Sequence, residues 1–299
     1  MKSYSLVNDN ATEGAKKLFQ YLNECHENHL MLSGQQEYPK RTNTEWEVNY
    51  VFEKTGKYPA IRGLDFMHAD FRGVINRAID WYMRDGIVTI CWHTGVNGGA
   101  YPDSQADNPD FDKILTMGTP ENELMLRNWD LGAEALKILQ SENVPVIWRP
   151  FHEFDGQWFW WGKGGAEPFI RLWRMMYDRY TNYHKLNNLI WVLGYSGEVK
   201  QGWYVGDEYC DIVGSDTYDG TTNKFGWDRL LKVCDKPLCY HEIGNLPHFD
   251  DFRRDGTNWL WFMNWHTRYL SDNNSEILNE IYNNSDVITL DKLPKELYN

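Results

Sequence analysis

The chain has 299 residues, and its 43 acidic against 30 basic side chains give a formal charge of −13. Nucleic acids and anionic membranes are bound mainly through clustered Lys and Arg, so this charge makes both unfavourable partners. No apolar run approaches the roughly 20 residues that a transmembrane helix needs. With 42% hydrophobic and 24% charged residues, the composition is typical of a folded globular protein rather than a disordered one.

The N-terminal segment and the cysteines bear on cellular location and on metal binding. The first ten residues, MKSYSLVNDN, lack the apolar segment of a secretory signal. This is compatible with a cytoplasmic protein or with a processed secreted one. The five cysteines are odd in number and widely spaced, with no CxxC pair, so we expect free thiols and no zinc site. Neither a metal nor a cofactor is expected.

Aromatic residues are abundant, with 15 Trp, 18 Tyr and 13 Phe. Several of the tryptophans fall in glycine-rich loops rather than in apolar runs. The flat face of an indole suits the C–H face of a pyranose ring, and its N–H can reach a hydroxyl. The composition therefore favours a carbohydrate ligand.

Eight short apolar stretches recur along the chain and are predicted to be strands. They are residues 30–33, 60–66, 87–93, 144–148, 189–193, 212–215, 238–241 and 259–262. Between most of them lies a longer segment with apolar residues at helical spacing, as in 71–84, 123–139 and 168–183. The connections at 200–209 and 245–256 are short, so the helices there are expected to be stunted.

Apolar strands that alternate with amphipathic helices predict a parallel sheet covered by helices, and eight repeats predict a closed (β/α)8 barrel. We expect one domain over residues 1–299, because no linker or low-complexity tract interrupts the chain. An open doubly wound sheet is the alternative. Such a sheet usually has a glycine-rich nucleotide-binding turn after its first strand, whereas the residues after Ser33 read GQQEYPK.

Polar and aromatic side chains follow the predicted strands at their carboxyl ends, where (β/α)8 barrels carry their active sites. They are His68, Trp92, His93, His152, Glu153, Tyr195, Ser196, Asp216, Tyr218, His241, Glu242, Trp265 and His266. Glu153 ends the fourth strand region and Glu242 ends the seventh, so the two face each other across the barrel. Two carboxylates that flank one bond are what glycoside hydrolysis requires.

Three sequence blocks surround these positions: RPFHEFDGQWFWWG at 149–162, YVGDEYCDIVGSDTY at 204–218 and KPLCYHEIG at 236–244. They resemble glycoside hydrolase family 26, the β-mannanase family of retaining (β/α)8 enzymes. The resemblance extends from about residue 66 to residue 265. It implies that Glu153 is the acid/base and that Glu242 is the nucleophile.

A retaining mechanism sets different demands on the two carboxyls, which must lie roughly 5–5.5 Å apart. Glu153 must first hold a proton, and burial among Trp158, Phe159 and Trp160 would raise its pKa, as would the charge of its partner. Glu242 must stay ionised. We expect the Tyr218 hydroxyl and the Arg149 cation to lower its pKa.

The resemblance also implies contacts with the sugar. His93 and His152 match family histidines, and His152 is expected either to contact the sugar or to hold Glu242 in place. Trp158 is expected to form a wall beside the leaving-group sugar, and Trp265 is expected to floor the glycone side. The family commonly has Trp-Arg where this chain has Trp265 followed by a histidine, and Thr or Ser where His241 precedes the nucleophile. The segments 91–95 and 96–117 are also atypical.

The favoured function is that of a monomeric, endo-acting, retaining β-1,4-mannanase on mannan, glucomannan or galactomannan. Because the departures lie near sugar contacts, a same-family glycanase acting on mixed-linkage β-1,3-1,4-glucan or β-1,3-xylan is an alternative. A non-catalytic carbohydrate-binding barrel is another, although a pure binder has no use for two opposed carboxylates. A metal-dependent hydrolase using His93, His152 and His241 is disfavoured because the first strand lacks an HxH pair.

Overall fold

The computed structural model describes residues 4–295, 297 and 298. Eight parallel strands form a ring in chain order, because each pairs with the next and the eighth pairs with the first. They are β1 (Met31–Gln36), β2 (Ile61–Asp65), β3 (Ile87–Cys91), β4 (Val146–Arg149), β5 (Leu189–Tyr195), β6 (Ile212–Thr217), β7 (Leu238–Ile243) and β8 (Trp261–Asn264). The predicted (β/α)8 barrel is confirmed, and the open-sheet alternative is wrong.

A ninth strand, β9 (Val287–Ile288), was not predicted. It pairs in parallel with the start of β1, where Met31 lies opposite Val287. With only two residues, it leaves no apolar run long enough to be recognised from the sequence.

Helices surround the strands. They are α1 (Glu13–Glu27), α2 (Trp46–Thr55), α3 (Phe71–Tyr82), α4 (Tyr101–Ala106), α5 (Phe111–Ile114), α6 (Pro120–Ser141), α7 (Trp160–Lys163), α8 (Ala166–Asp178), α9 (Lys224–Val233), α10 (Phe249–Asp255), α11 (Arg268–Ser271) and α12 (Ser275–Tyr282). The three predicted helices correspond to α3, α6 and α8. The expected stunted connections are also found, since α10 has seven residues and segment 200–209 forms no helix.

Helix α1 covers the amino-terminal end of the barrel. Its start is fixed by Thr12, whose hydroxyl accepts the N–H of Ala15 at 3.3 Å. Its apolar face, which includes Leu18 and Leu22, joins one buried cluster with barrel residues such as Leu32 and Ile147. The apolar lower half of the barrel is therefore sealed from solvent, and the opposite end is left for the site.

The barrel interior near the carboxyl ends of the strands is polar. There the Arg149 guanidinium donates hydrogen bonds of 2.9 Å to Thr89 Oγ1 and to Gln36 Oε1. Arg149 is fully buried, and a buried cation is tolerated only when it is paired and hydrogen-bonded. This network therefore makes a rigid floor beneath the site.

All five cysteines are free thiols, as expected. Within the described residues, no helix is both long and apolar enough to cross a membrane.

Candidate active site

A cavity of about 280 Å³ opens at the carboxyl ends of the strands. Its lining residues are Tyr38, Lys40, Met67, His93, Tyr101, His152, Glu153, Phe159, Tyr218, Glu242, Trp265 and His266. Six of the eight predicted site residues are among them. The other two lie next to it: Arg149 is buried beneath Glu242, and Trp158 lies beside Glu153 at the entrance. A larger groove of about 590 Å³ lies beside α1 and lacks such a set of facing groups.

Glu153 is held in place by the backbone that follows β4. Both Phe151 and Glu153 adopt left-handed conformations, with φ of 51° and 54°, which is unfavourable for residues other than glycine and is typical of functional sites. The N–H of Glu153 donates to the carbonyl of Gly194 on β5 at 2.8 Å. Its side chain accepts a 2.8 Å hydrogen bond from the indole of Trp158. Glu153 is therefore fixed at both its backbone and its side chain.

Glu242 lies within β7 and is almost completely buried. Its Oε2 accepts a 2.7 Å hydrogen bond from the hydroxyl of Tyr218. Its Oε1 lies 3.6 Å from Arg149 Nη1 and 3.5 Å from His152 Nε2. The two oxygens thus have different surroundings, one facing a tyrosine and the other facing basic side chains.

Burial raises the pKa of both glutamates. For Glu153 the loss of water is the largest cause, opposed by hydrogen bonds from Asp216 and Trp158. For Glu242, burial and the charge of Glu153 raise the pKa to about 8, although Arg149 and Tyr218 act to lower it. Both expected lowering contributions, from Tyr218 and Arg149, are present, but desolvation in this closed barrel outweighs them.

Asp216, at the end of β6, is a third carboxyl in the site. Its side chain hydrogen-bonds to Glu153, and burial together with the charges of Glu153 and Glu242 raises its pKa well above the ordinary value. It was recognised as a rim residue but was not among the predicted site residues. Because the charges of Glu153, Asp216 and Glu242 act on one another, the protonation of each depends on that of the others.

His93 is positioned by an aspartate that the sequence analysis also missed. Its Nδ1 lies 2.6 Å from Oδ2 of Asp65, the last residue of β2. Burial lowers the pKa of His93, but the charge and hydrogen bond of Asp65 outweigh this and raise it. The His93 ring meets that of His152 edge-on at 4.5 Å. The sequence signal for this role was the position of Asp65 at the end of a strand.

Aromatic rings form the walls of the cavity. Trp265 packs near His266, which in turn lies 4.8 Å from the ring of Tyr38. Trp158 is 42% exposed at the entrance. Trp160, which was expected to help bury Glu153, lies in the core and donates its N–H to the carbonyl of Thr94.

Two groups of side chains have the types and spacing of metal ligands: Asp65, Cys91 and His93, and Asp216, His241 and Glu242. In the first group, His93 already uses Nδ1 on Asp65, and burial holds the pKa of the Cys91 thiol well above its ordinary value. In the second group, the Arg149 cation lies 3.6 Å from the Glu242 carboxylate. A second cation beside it would be repelled, so neither donor set suits a metal.

Comparison with known proteins gives a consistent result. A mannan endo-1,4-beta-mannosidase of Thermothelomyces thermophilus is 32% identical over 317 residues, which cover 97% of this chain and 63% of that protein. Mannan endo-1,4-beta-mannosidase B of Piromyces sp is 30% identical over 312 residues, covering 97% and 54% respectively. The chain therefore spans roughly half to two thirds of the length of these curated relatives.

Solved structures resemble the barrel along its whole length. GH26A from Muricauda sp. MAR_2010_75 superposes with a TM-score of 0.89 at 33% identity, covering 96% of this chain and 99% of that one. A β-mannanase from a symbiotic protist of the termite Reticulitermes speratus, complexed with gluco-manno-oligosaccharide, gives 0.89 at 29% identity, covering 98% of each chain. The model of glycosyl hydrolase family 26 matches residues 7–292, and the chain belongs to that family.

Proposed function

We propose that this chain is a retaining endo-β-1,4-mannanase that hydrolyses mannan, glucomannan or galactomannan by double displacement. The observation that carries the proposal is the meeting of Glu153 and Glu242 in one cavity, each with its own hydrogen-bond donor. The described barrel is the catalytic domain, and it acts as a monomer. The names of the family relatives support mannan as the substrate class.

In the first step, Glu242 attacks the anomeric carbon while the bond to the leaving oxygen breaks. Glu153 transfers its proton to that oxygen, so the shortened polysaccharide leaves as a neutral alcohol. Tyr218 keeps the attacking carboxylate oriented through its 2.7 Å hydrogen bond. The product of the step is a glycosyl ester of Glu242.

In the second step, Glu153 takes a proton from water, and the hydroxide oxygen bonds to the same anomeric carbon as the ester bond breaks. Loss of the charge on Glu242 in the ester removes one of the causes that raise the pKa of its neighbours. Glu153 is then better suited to act as base. The anomeric configuration is retained because the carbon is inverted twice.

The remaining residues are assigned to binding. His93 and His152 line the wall beside the reacting sugar, and Trp265 supplies a flat apolar face on the glycone side. Trp158, exposed at the entrance, covers the leaving-group side. Arg149 acts from beneath as a fixed cation for Glu242.

The test is hydrolysis of linear mannan followed by proton NMR of the first product formed. We expect reducing ends with retained configuration, and a loss of at least about 10⁴-fold in kcat for Glu242→Ala. Glu153→Ala should keep more of its activity on an aryl mannoside whose leaving group needs no proton. Inverted product, or binding of mannan without any hydrolysis by the wild type, would contradict the proposal.

Lichenan and β-1,3-xylan should be tested in the same assay, because one feature of the cavity favours sugar contacts on the glycone side that differ from the common family pattern. His266 lines the cavity next to Trp265, and burial lowers its pKa to about 4, so it is neutral near pH 7. A neutral imidazole at this point would recognise sugar hydroxyls through directional hydrogen bonds and not through charge. Turnover of either glycan above that of mannan would transfer the proposal to the mixed-linkage or xylan activity.

A further inference from the structure

Three buried atoms beneath the cavity face one another without a hydrogen-bond partner in the described part of the chain. They are Asp216 Oδ2, His241 Nδ1 and Glu242 Oε1. His241 Nδ1 lies 3.8 Å from each of the two carboxylate oxygens. Buried polar atoms are rarely left unpaired, because each one loses its hydrogen bonds to water without replacing them. Such a cluster therefore needs a functional explanation.

The position of the proton on His241 follows from its other neighbour. Nε2 of the ring lies 3.2 Å from Nη1 of Arg149. A guanidinium can only donate, so Nε2 must be the accepting, unprotonated nitrogen. Burial and the charge of Arg149 also lower the pKa of His241 well below its ordinary value. The ring is therefore neutral, and its single N–H is on Nδ1, directed towards the two carboxylates.

The barrel makes room for this ring with two glycines. Gly194 on β5 and Gly214 on β6 lie opposite each other in the sheet. A Cβ at Gly194 would lie 2.5 Å from Cδ2 of His241, and one at Gly214 would lie 2.9 Å from its Cβ. A side chain at Gly194 would displace the imidazole, and one at Gly214 would meet both Cys239 and the Cβ of His241. The site is thus shaped for histidine at this position.

We propose that His241 is a positioning residue for the nucleophile Glu242. In the reacting complex the Nδ1–H of His241 donates to Oε1 of Glu242, while the same nitrogen stays next to Oδ2 of Asp216. The present distance of 3.8 Å is too long for a hydrogen bond. Catalytic hydrogen bonds are often long without substrate and shorten when the substrate binds. Because Asp216 also bonds to Glu153, His241 links the two catalytic glutamates through one buried carboxyl.

This arrangement assigns different tasks to the two oxygens of Glu242. Oε1 is fully buried among Arg149, His152 and His241, so it cannot reach a sugar. Attack therefore comes from Oε2, and Oε1 becomes the carbonyl oxygen of the glycosyl ester. His241 holds Oε1 of Glu242 away from the sugar during both displacement steps. The imidazole of His241 keeps its proton throughout.

The tautomer can be tested in the wild-type protein by NMR with ¹⁵N-labelled histidine. We expect one neutral ring, assigned by its absence in His241→Asn, with a protonated Nδ1 and an unprotonated Nε2 across the active pH range. A protonated Nε2, or an imidazolium, would overturn the proposal. This measurement needs neither substrate nor activity.

The role is tested by two substitutions of opposite geometry. The amide of His241→Asn can place an N–H near the position of Nδ1, whereas His241→Gln reaches the position of Nε2 and leaves Glu242 without the donor. We expect kcat to fall about tenfold to a hundredfold in His241→Gln, with KM changed less than about threefold, the size of one lost hydrogen bond to a charged group. His241→Asn should recover most of that loss. Equal kcat values in the two variants would contradict the proposal.

The pH profile separates positioning from general damage. Loss of a donor to Glu242 in the reacting complex destabilises its charged form there, so the acidic limb of kcat, which reports the substrate complex, should move to higher pH in His241→Gln but not in His241→Asn. The charged or titratable groups facing the ring are Arg149, His93, His152, Asp216 and Glu242. The exposed His248, which pairs with Glu280, gives the control variant His248→Asn, whose profile should match the wild type.

The role of His241 in turnover rests on the proposed function, but the outcomes remain distinguishable. A wild type that hydrolyses no β-glycan would end the proposed function, whatever the tautomer. An active wild type with the proton on Nε2 would end only the role of His241. Thermal unfolding of each variant checks that it is folded before its kinetics are compared.

Discussion

The indole N–H of Trp158 donates a 2.8 Å hydrogen bond to Oε2 of Glu153, although the tryptophan itself is 42% exposed. An indole nitrogen can only donate, and the carbonyl oxygen of a carboxyl group accepts more strongly than its hydroxyl oxygen, so this hydrogen bond favours Oε1 as the oxygen that holds the proton of a neutral Glu153. In the proposed mechanism, Glu153 would therefore pass its proton to the leaving group from Oε1. In that mechanism, the Trp158 ring at the entrance would both cover the leaving-group side and favour Oε1 as the oxygen that donates the proton.

Replacing Trp158 by Phe should keep a flat ring and remove the donor. Because the hydrogen bond favours the charged form of Glu153, its loss should raise the pKa of this carboxyl and move the alkaline limb of kcat/KM to higher pH. We expect kcat/KM to fall about tenfold at the optimum, the size of one lost hydrogen bond to a charged group. Trp158→Ala, which also loses the ring, should fall further. An unchanged alkaline limb in both variants would contradict the assignment.

Tyr218→Phe should act on the other limb. The hydroxyl of Tyr218 lowers the pKa of Glu242, so its removal should raise that pKa and shift the acidic limb of kcat/KM to higher pH. We expect a loss of about tenfold to a hundredfold in kcat. Tyr269 packs against Tyr218 at 4.8 Å and bonds to Arg268 instead. Tyr269→Phe is therefore the matched control, and a similar shift there would show that the hydroxyl of Tyr218 is not the cause.

Asp65→Asn should alter His93 without removing it. The charge of Asp65 is what keeps the pKa of His93 raised despite burial, so the neutral amide should lower that pKa. The new side chain can still accept the backbone N–H groups of Met67 and His93, now held by Asp65 Oδ1. We expect about a tenfold loss in kcat/KM and a lower His93 pKa by NMR. The exposed rim variant Asp219→Asn should change neither.

The strands were predictable because their lower halves are continuously apolar, but their carboxyl ends were underestimated. Strand β1 continues to Gln36 and β7 to Ile243, whereas the apolar pattern stops at Ser33 and His241. Gln36 is polar because it accepts a hydrogen bond from Arg149 inside the barrel. The apolar sequence pattern therefore underestimates the strands at the end of the barrel where polar side chains form the site.

The two glutamates were predictable for a related reason, since both end apolar runs on strands that a closed barrel brings face to face. Asp65 and Asp216 end strands as well, yet their partners were not foreseen. Side chains point alternately to the two sides of a strand, and a sequence does not say which strand-ending acid points inwards. The contacts of Asp65 with His93 and of Asp216 with Glu153 join residues distant in the chain, so only the assembled barrel reveals them.

His266 should make folding stability sensitive to acid. The ring packs between Tyr38 and Trp265, with centroids 4.8 and 4.9 Å away, and burial lowers its pKa from 6.5 to about 4. Between these two pH values His266 is protonated in the unfolded chain but neutral in the folded chain. Stability is therefore present above about pH 6.5 and is lost as the pH falls towards 4, by at most about 3 kcal/mol.

The prediction is checked by urea unfolding at about pH 7 and about pH 4.5. The buried His152 and His241, whose pKa values are also lowered, contribute a loss of the same sign, so the quantity to compare is the difference between the wild type and His266→Gln. The variant should lose less stability on acidification than the wild type does. The exposed His248 has a raised pKa because of Glu280, so His248→Gln should not reduce the acid loss. If His266→Gln loses as much stability as the wild type, the His266 ring is already protonated or solvated in the folded protein. The inference that a neutral imidazole lines the glycone side would then be wrong.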